Sequence, residues 1–555
     1  MAQQADLVIL NGRVLTMEDH APRAEAVALA GGVILAVGGT EEIRALARQG
    51  ARVIDASGAT VLPGFIDSHV HLFQGAAALD FMAMEGVAGR DALTRTIRAY
   101  ADANPDEPLI LGMGTDYGVL DGKEPTRHDL DAILSDRPVA LLAPDIHTLW
   151  ANTMALDRAG LLHGAEVPEG STIVMGEDGM ATGLLLETGA FGPVLRLSRT
   201  GGRDMLGYVT GADPDPPATM AERAADRALI ARGLKHAASR GVTTMHNMDG
   251  NFYQLDLLNE LDTAGELACR MQVPFHLKNF DPLDRLEEAG EMARHYTGDW
   301  VWSGAVKMFM DGVIDARTAL MLRGYPNAPE RTGDAVFEPE HFNEACRRID
   351  AMGLQICVHS IGDLATRRTL DGYAAARAAN GARDSRHRIE HIEVIAPEDI
   401  PRIAELGAVA SMQPLHCPLG GHFPLIPQGT ILHDDQYPYA FAWQRIRDSG
   451  APLVFSTDWP VVPVDPMRSV QAAVAPLVPG APWDVRPQSL LETLASYTRM
   501  GAWASFREGR MGQLVAGQLG DVVVMDRDIE AMEPSALGAA KPAVTICGGQ
   551  VTFGG

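Results

Sequence analysis

The chain contains no run of about 18 uninterrupted apolar residues, so no segment of it reads as a membrane-spanning helix. Its first residues, Met1-Ala2-Gln3-Gln4-Ala5-Asp6, lack a basic stretch leading into an apolar one, and a cytoplasmic location is therefore the expectation. Cysteine is scarce: Cys269, Cys346, Cys357, Cys417 and Cys547 are odd in number, dispersed, and include no Cys-x-x-Cys pair. This argues against a disulfide framework and against a thiolate zinc site, and leaves buried thiols. Positive charge is also short, with 46 Lys and Arg against 72 Asp and Glu, a net charge of −26. The acidic residues are scattered and would repel a polyanion at long range, so nucleic acid is not an expected partner. There is no long low-complexity tract. With 46% hydrophobic and 21% charged residues, the 555-residue chain reads as a folded protein large enough for a barrel-sized catalytic domain and a satellite.

Both ends of the chain carry β patterns. Leu7 to Leu10 and Arg13 to Met17 flank Asn11-Gly12, and Ala26 to Ala30 and Val33 to Val37 flank Gly31-Gly32, which are hairpin signals. Near the other end, Val522-Val523-Val524-Met525 and Val544-Thr545-Ile546-Cys547 precede Gly548-Gly549 and Val551-Thr552-Phe553.

Between the ends, helical patterns alternate with short apolar strands, the mark of βα units around a parallel sheet. In one such unit, Ala221 to Arg240 is rich in helix formers, Gly241 ends it, and Val242-Thr243-Thr244-Met245-His246 follows as a strand. Similar strand cores are 305–309, 355–359, 387–391 and 453–458, each ending in or containing an ionisable residue. In a (β/α)8 barrel the catalytic groups sit at the C-terminal ends of the strands, where distant residues converge. The gap from His71 to Lys307 is too long for two ordinary βα units and is expected to hold an insertion near residues 110–215.

One strand, Val61 to Asp67, leads into His69-Val70-His71. Residues i and i+2 of a strand share a face, so the two imidazoles can meet one ion while Val70 packs on the opposite side. Adding the other strand ends gives the ordered set His69, His71, Lys307, His359, His391 and Asp458. His359 and His391 could each be an ordinary strand-end histidine, and Asp458 could cap a turn before Trp459-Pro460. The ordered set favours ligands. Strand alternation would send Glu390 away from His391, which makes Glu390 a structural residue. Asp311 and Asp363 follow strands, where they would either orient ligands or cap helices.

The chain resembles the amidohydrolase superfamily, in the branch of N-substituted formamide deformylase-like metal-dependent amidohydrolases. The resemblance spans essentially the whole chain. It is carried by Gly64-Phe65-Ile66-Asp67-Ser68-His69-Val70-His71, by Val306-Lys307-Met308-Phe309-Met310-Asp311-Gly312, and by Val358-His359-Ser360-Ile361-Gly362-Asp363. Arg388-Ile389-Glu390-His391, Ser411-Met412-Gln413-Pro414-Leu415-His416, Ser456-Thr457-Asp458-Trp459-Pro460-Val461 and Gly517-Gln518-Leu519-Gly520-Asp521 continue it. Asp145-Ile146-His147 and Thr182 to Glu187 look like that branch's substrate-side segments.

The resemblance implies an α/β fold: a (β/α)8 TIM barrel, 64–507, beside a small β-sandwich built from 1–63 and 508–555. It also implies two divalent ions. His69 and His71 would bind the more buried ion with Asp458, His359 and His391 the second, and a carboxylated Lys307 would bridge them. An ammonium has no lone pair and repels cations, whereas a carbamate offers two anionic oxygens. Imidazole and carboxylate ligands suit zinc, and also manganese, iron or cobalt. His147, His246, Arg317, Gln413 and His416 would face the substrate. The segment Val313-Ile314-Asp315-Ala316 departs from the Gly-rich pattern of many relatives, which points to a different specificity.

The implied reaction is hydrolysis of a non-peptide C–N bond in a small molecule, an N-acyl or N-formyl amide first and a cyclic amide next. A metal-activated hydroxide would attack, with Asp458 taking the proton and returning it to the leaving amine. Two alternatives stand beside it: a mononuclear deaminase, which has no need of Lys307, and an inactive barrel that serves as a binding protein. A homodimer is the general expectation for assembly.

Overall fold

The computed structural model describes residues 4–144, 147–168, 171–478 and 480–555. They form two compact units, one made of the residues up to Leu72 with Ala231–Gly555, the other of Phe73–Ile230.

In the first unit, eight strand positions run parallel: β1 (Phe65–Val70), β2 (Val242–Asn247), β3 (Arg270–Gln272 and Phe275–His276), β4 (Val301–Trp302 and Ala305–Phe309), β5 (Gln355–Ser360), β6 (Arg388–His391), β7 (Val409–Met412) and β8 (Leu453–Phe455). Each pairs with the next, as in Met245↔Asp67, Thr244↔Arg270, Phe275↔Val306, Lys307↔Cys357, His359↔Glu390, Glu390↔Ser411 and Met412↔Phe455. β3 breaks at Val273-Pro274, where proline has no N–H to give to a ladder, and β4 at Ser303-Gly304. The order returns to its start. Asp458 N donates to His69 O at 2.8 Å, His71 N donates to Trp459 O at 2.7 Å, and Val70 bridges Trp459 in parallel. Asp67 fastens the same junction by accepting from Thr457 N at 2.9 Å and from Thr457 Oγ1 at 2.6 Å.

Helices Phe252–Thr263, Leu286–His295, Pro339–Ala351, Asp363–Asn380, Ile400–Leu406 and Trp443–Asp448 separate the consecutive strands from β2 onwards. The strands are buried along their lengths, as a parallel sheet covered on its faces requires. The Asn251 side chain accepts from Gln254 N and so satisfies one of the free amides that start the helix Phe252–Thr263.

The two β-rich ends build two sheets, one ordered Val33–Gly38, Ala26–Ala30, Ala5–Leu10, Ala47–Asp55, the other Gln550–Gly554, Pro542–Cys547, Val522–Met525, Thr60–Pro63, Arg13–Leu15, Arg23–Ala24. Leu7, Ile9, Val27 and Leu29 from the first meet Val14, Val61, Val522, Val544 and Ile546 from the second in one apolar core. The Gly31-Gly32 and Gly548-Gly549 hairpins form, with positive φ at all four glycines. The hairpin expected at Asn11-Gly12 does not. Ala5–Leu10 and Arg13–Leu15 lie in different sheets, because the chain crosses between sheets at that point so that Leu7, Ile9 and Val14 all reach the shared core. The buried pair Arg270–Asp521, with contacts of 2.8 and 3.0 Å, ties the start of β3 to the C-terminal segment, and Asp521 also accepts from Gly548 N.

The second unit encloses residues 110–215. Its six-stranded sheet is ordered Thr172–Met175, Ala181–Leu186, Thr148–Ala151, Val139–Leu142, Ile110–Met113, Met82–Ala83, and apolar clusters around Phe191 and around Leu130 give it its own core. Among the described residues of either unit, no helix is long and apolar enough to cross a membrane.

Candidate metal centre

His69 stands inside the end of β1 and His71 just beyond it, and both are buried. Their Nε2 atoms converge on one oxygen, Asp458 Oδ1, at 3.5 and 3.3 Å. Their far nitrogens are each held by a carboxylate: His69 Nδ1 donates to Glu390 Oε2 at 2.7 Å, and His71 Nδ1 to Asp249 Oδ1 at 3.3 Å. A carboxylate behind a ligating imidazole fixes its tautomer and turns its other nitrogen toward an ion. Asp458 reaches this position with a left-handed backbone, φ 62°, pinned by its own N–H on His69 O.

His391 has φ 77° and Ile392 φ 49°. This turn breaks the alternation of β6, so Glu390 and His391 both face inward. The expectation that alternation sends Glu390 away from His391 is therefore corrected. Glu390 is fully buried, receives Arg388 through both oxygens and holds His69. His391 Nδ1 donates to Gln413 Oε1 at 2.9 Å, and Gln413 is itself anchored on Ser456 Oγ. The ring of His391 lies 4.8 Å from that of His69 and 4.6 Å from that of His359. His359 Nε2 donates to Gly312 O at 3.1 Å, and its ring stacks on Phe309. Lys307 is buried, its Nζ has no hydrogen-bond partner, and it lies 4.6 Å from the centre of the Phe309 ring.

Of the expected substrate-facing residues, Gln413 and His416 join this cluster. His416 Nε2 is 3.7 Å from Asp458 Oδ2. His246 sits lower in β2, where its Nδ1 accepts from Arg388 at 3.1 Å. Arg317 directs its Nε to Asn327 Oδ1. His147 belongs to the unit Phe73–Ile230, where it donates to Glu187 Oε2 at 2.8 Å; Asp145 and Ile146 lie outside the described residues. Asp311 accepts backbone N–H bonds from Leu320, Ile361 and Gly362, and Asp363 from Leu322 and Leu364, so both serve to fasten loops. Asp249, which holds His71, escaped the sequence reading because it lies past the end of β2 in no ligand pattern. Its one clue is its place two residues beyond Asn247 at a strand end.

The electrostatics of His69, His359, His391 and Asp458 agree with a cation-binding arrangement. Burial pushes His69 down to about 4, and pushes His359 and His391 well below the usual imidazole range, so these rings are neutral with a lone pair to give. Burial alone would lower His71, but hydrogen bonds to Asp249 and Asp458 lift it to about 9. Asp458 is held far below the usual carboxylate range by His69, His71 and His391 against the cost of its burial. Burial lowers Lys307, in the direction of a neutral amine. His69 Nε2, Lys307 Nζ, His416 Nε2 and Asp458 Oδ1 are all buried without a hydrogen-bond partner. Orphaned polar atoms cost free energy unless something meets them, and unpartnered nitrogens of His69 and His416 on either side of the Asp458 carboxylate fit a divalent ion. Among the described residues, two groups bring ligand atoms within 4.8 Å of one another: His69, His71 and Asp458, and His391, His416 and Asp458.

The profile of the Amidohydrolase family matches residues 52–553. The chain belongs to this family. Among its relatives, N-substituted formamide deformylase of Arthrobacter pascens is 27% identical over 95% of this chain and 94% of that protein. Protein LONG AFTER FAR-RED 3 of Arabidopsis thaliana is 29% identical over 94% of this chain and 87% of its own length. An uncharacterized metal-dependent hydrolase from Pyrococcus furiosus, solved by crystallography, superimposes with a TM-score of 0.69 at 25% identity, covering 93% of this chain and 98% of that one. Membership in the metal-dependent amidohydrolase superfamily brings the TIM-barrel fold, and this amidohydrolase is a hydrolytic enzyme.

Proposed function

We propose that this amidohydrolase cleaves a non-peptide C–N bond of a small amide, an N-formyl or N-acyl amide before a cyclic one. The observation that carries the reading is the convergence of His69 Nε2 and His71 Nε2 on Asp458 Oδ1, each imidazole backed by a buried carboxylate. The formamide preference draws on the relative named for deformylation.

His69, His71 and Asp458 would hold one ion, Lys307 would bridge to a second, and the resemblance assigns His359 and His391 to that second ion. Two such ions, zinc first, supply an acidified water and a polarised carbonyl. Asp458 lies between the two histidine groups, where it can take a proton from the water and deliver it to the departing nitrogen. Burial favours the neutral amine of Lys307, the form that reacts with CO2 to give a carbamate. Glu390 and Asp249 keep the rings of His69 and His71 aimed while the proton moves.

The same proposal covers the architecture: a (β/α)8 barrel over 64–507 with an insertion near 110–215, and a β-sandwich from 1–63 and 508–555. The contacts that bring the segment after β8 back to β1, Asp458 N on His69 O and the Val70–Trp459 bridge, and the core shared by the terminal sheets support it.

The test joins metal analysis with turnover. The purified enzyme should carry two ions per chain and hydrolyse a member of a panel of N-formyl, N-acyl, lactam and ester compounds. Lys307→Ala and Asp458→Ala should lose metal and activity; full retention of both by both variants refutes the site. One ion per chain with no carbamate would favour the deaminase.

A further inference from the structure

From β2 onwards, the longest loops after the parallel strands are those that follow β4 and β7, residues 310–338 and 413–442, which hold no helix beyond single 3-10 turns. Loops longer than about 12–15 residues are uncommon in a compact domain and are usually functional. Their roots are fixed by buried carboxylates. Asp311 accepts from Leu320 N, while Asp363 accepts from Leu322 N at 2.7 Å and from Gln436 Nε2 at 3.1 Å, so one side chain holds both loops. Phe441 N on Glu393 O and Ile395 N on Tyr439 O tie the second loop to the segment after β6. The two loops thus bridge the ends of β5 and β6, the strands that lie between their own.

Beyond the roots each tip closes on itself. In the first, Tyr325 N donates to Arg331 O and Arg331 N to Ala328 O; in the second, Thr430 N and Oγ1 both donate to Pro427 O, and His433 N donates to Gln436 Oε1. Tip is joined to tip by a different kind of contact. Asn327 N donates to Thr430 O at 3.2 Å, His433 Nε2 to Gly324 O at 2.9 Å, and Arg323 Nη2 reaches both oxygens of Asp435 at 2.7 and 2.9 Å. Arg323 and Asp435 are 49% and 70% exposed, and an ion pair so open to water contributes little. The tips can therefore part at small cost while the buried Asp363 keeps the roots in place. The second loop also carries Phe423, whose edge meets the His416 ring at 6.0 Å, so it runs from the tip contacts to the metal centre.

We propose that the tips 323–331 and 421–435 form a gate over the ends of β5 and β6, clasped shut by these three contacts, which parts at the clasp to admit substrate and release product. The clasp is read from the loop contacts alone; its effect on turnover rests on the metal-centre reading above.

Hydrogen–deuterium exchange of the full-length, zinc-loaded enzyme, resolved by mass spectrometry, would follow the amides of 321–332 and 427–437. Arg323→Ala and Asp435→Ala should each raise exchange in both tips by about two- to fivefold, the range that an exposed ion pair supports, with β5 and β6 unchanged. Asp284→Ala removes a pair with Arg348 that is similarly open to water and lies outside these loops, and should leave the tips as they are. The five native cysteines are buried, so a reducible bis-maleimide would join only the introduced thiols of Arg323→Cys/Asp435→Cys. The linked enzyme should lose zinc to 1,10-phenanthroline, a neutral chelator of substrate size, at least tenfold more slowly, and reduction of the linker should restore the rate. Thermal melting checks that each variant is folded. The gate is overturned if the alanine variants leave exchange in the tips unchanged, or if the linked enzyme gives up zinc as fast as the unlinked one. A chain that takes up no zinc refutes the metal-centre reading instead, and exchange in the tips of the alanine variants then decides the clasp by itself.

Discussion

His69 Nδ1 donates to Glu390 Oε2 at 2.7 Å, and Glu390 is gripped in turn through both its oxygens by the Nε and Nη2 edge of the Arg388 guanidinium. The His69 imidazole at the end of β1 is thus oriented by a carboxylate of β6 whose charge is shared with a buried cation. Glu390→Gln keeps the shape and removes the charge. Affinity for the first ion should fall by roughly 10–100-fold, read by competition titration. Glu390→Leu strands a fully buried Arg388 and should cost about 3–5 kcal/mol in chemical denaturation.

Asp458 is the group placed to carry the proton. Asp458→Asn keeps its size and one acceptor oxygen, so the fold should survive while kcat falls by about 10²–10⁴-fold with a smaller change in KM. An unchanged kcat in steady-state kinetics would remove Asp458 from proton transfer.

Lys307 is buried and shifted toward its neutral amine. Reloading the stripped enzyme with zinc in 13C-bicarbonate should produce a carbamate carbon signal in the NMR spectrum. Lys307→Arg should abolish that signal, and the extra bulk and fixed charge should prevent binding of the second ion.

Asp204 lies buried in the unit Phe73–Ile230, where Thr200 Oγ1 donates to it, and burial pushes its carboxyl up to about 6. Its pKa is higher folded than unfolded, so its contribution is complete below about pH 4 and is lost as pH rises through about 6. That loss is worth about 3 kcal/mol. Urea unfolding from pH 4 to 7 should show the difference between wild type and Asp204→Asn shifting against the wild type by this amount. A constant difference across the range would refute it.

Arg270 and Asp521 join β3 to the C-terminal segment through two hydrogen bonds, with Arg270 also 4.3 Å over the Trp300 ring. Asp521→Ala leaves a buried guanidinium and the Gly548 N–H without their acceptor, and should destabilise the first unit by about 3–5 kcal/mol in denaturant titration.

The parts of the molecule legible in the sequence were those governed by a fixed period. His69 and His71 share a face because strand side chains alternate, and Gly31-Gly32 and Gly548-Gly549 turn hairpins because glycine accepts positive φ. The parts that escaped depend on breaks in such periods. Glu390 was misdirected because alternation fails at His391, whose left-handed backbone turns it inward beside its neighbour. Asn11-Gly12 has the residues of a hairpin, but burial of Val14 against Leu7 and Ile9 is better served by crossing to a second sheet. The contact of His246 Nδ1 with Arg388, a residue of β6, depends on which strands the fold brings together and has no period in the sequence. Such residues can be placed only once the partner strand is known.

The junction where Asp458 N meets His69 O joins the first strand of the parallel order to the last. A pocket made across that join does not exist until position 458 has been synthesised and brought back to position 69, which is the slowest kind of contact for a chain to find. A nascent chain therefore passes most of its synthesis with His69 and His71 as two neighbouring imidazoles and nothing opposite them. The centre can close only after position 458 has been made, and truncation anywhere before the last strand of the parallel order leaves His69 and His71 with no carboxylate opposite them.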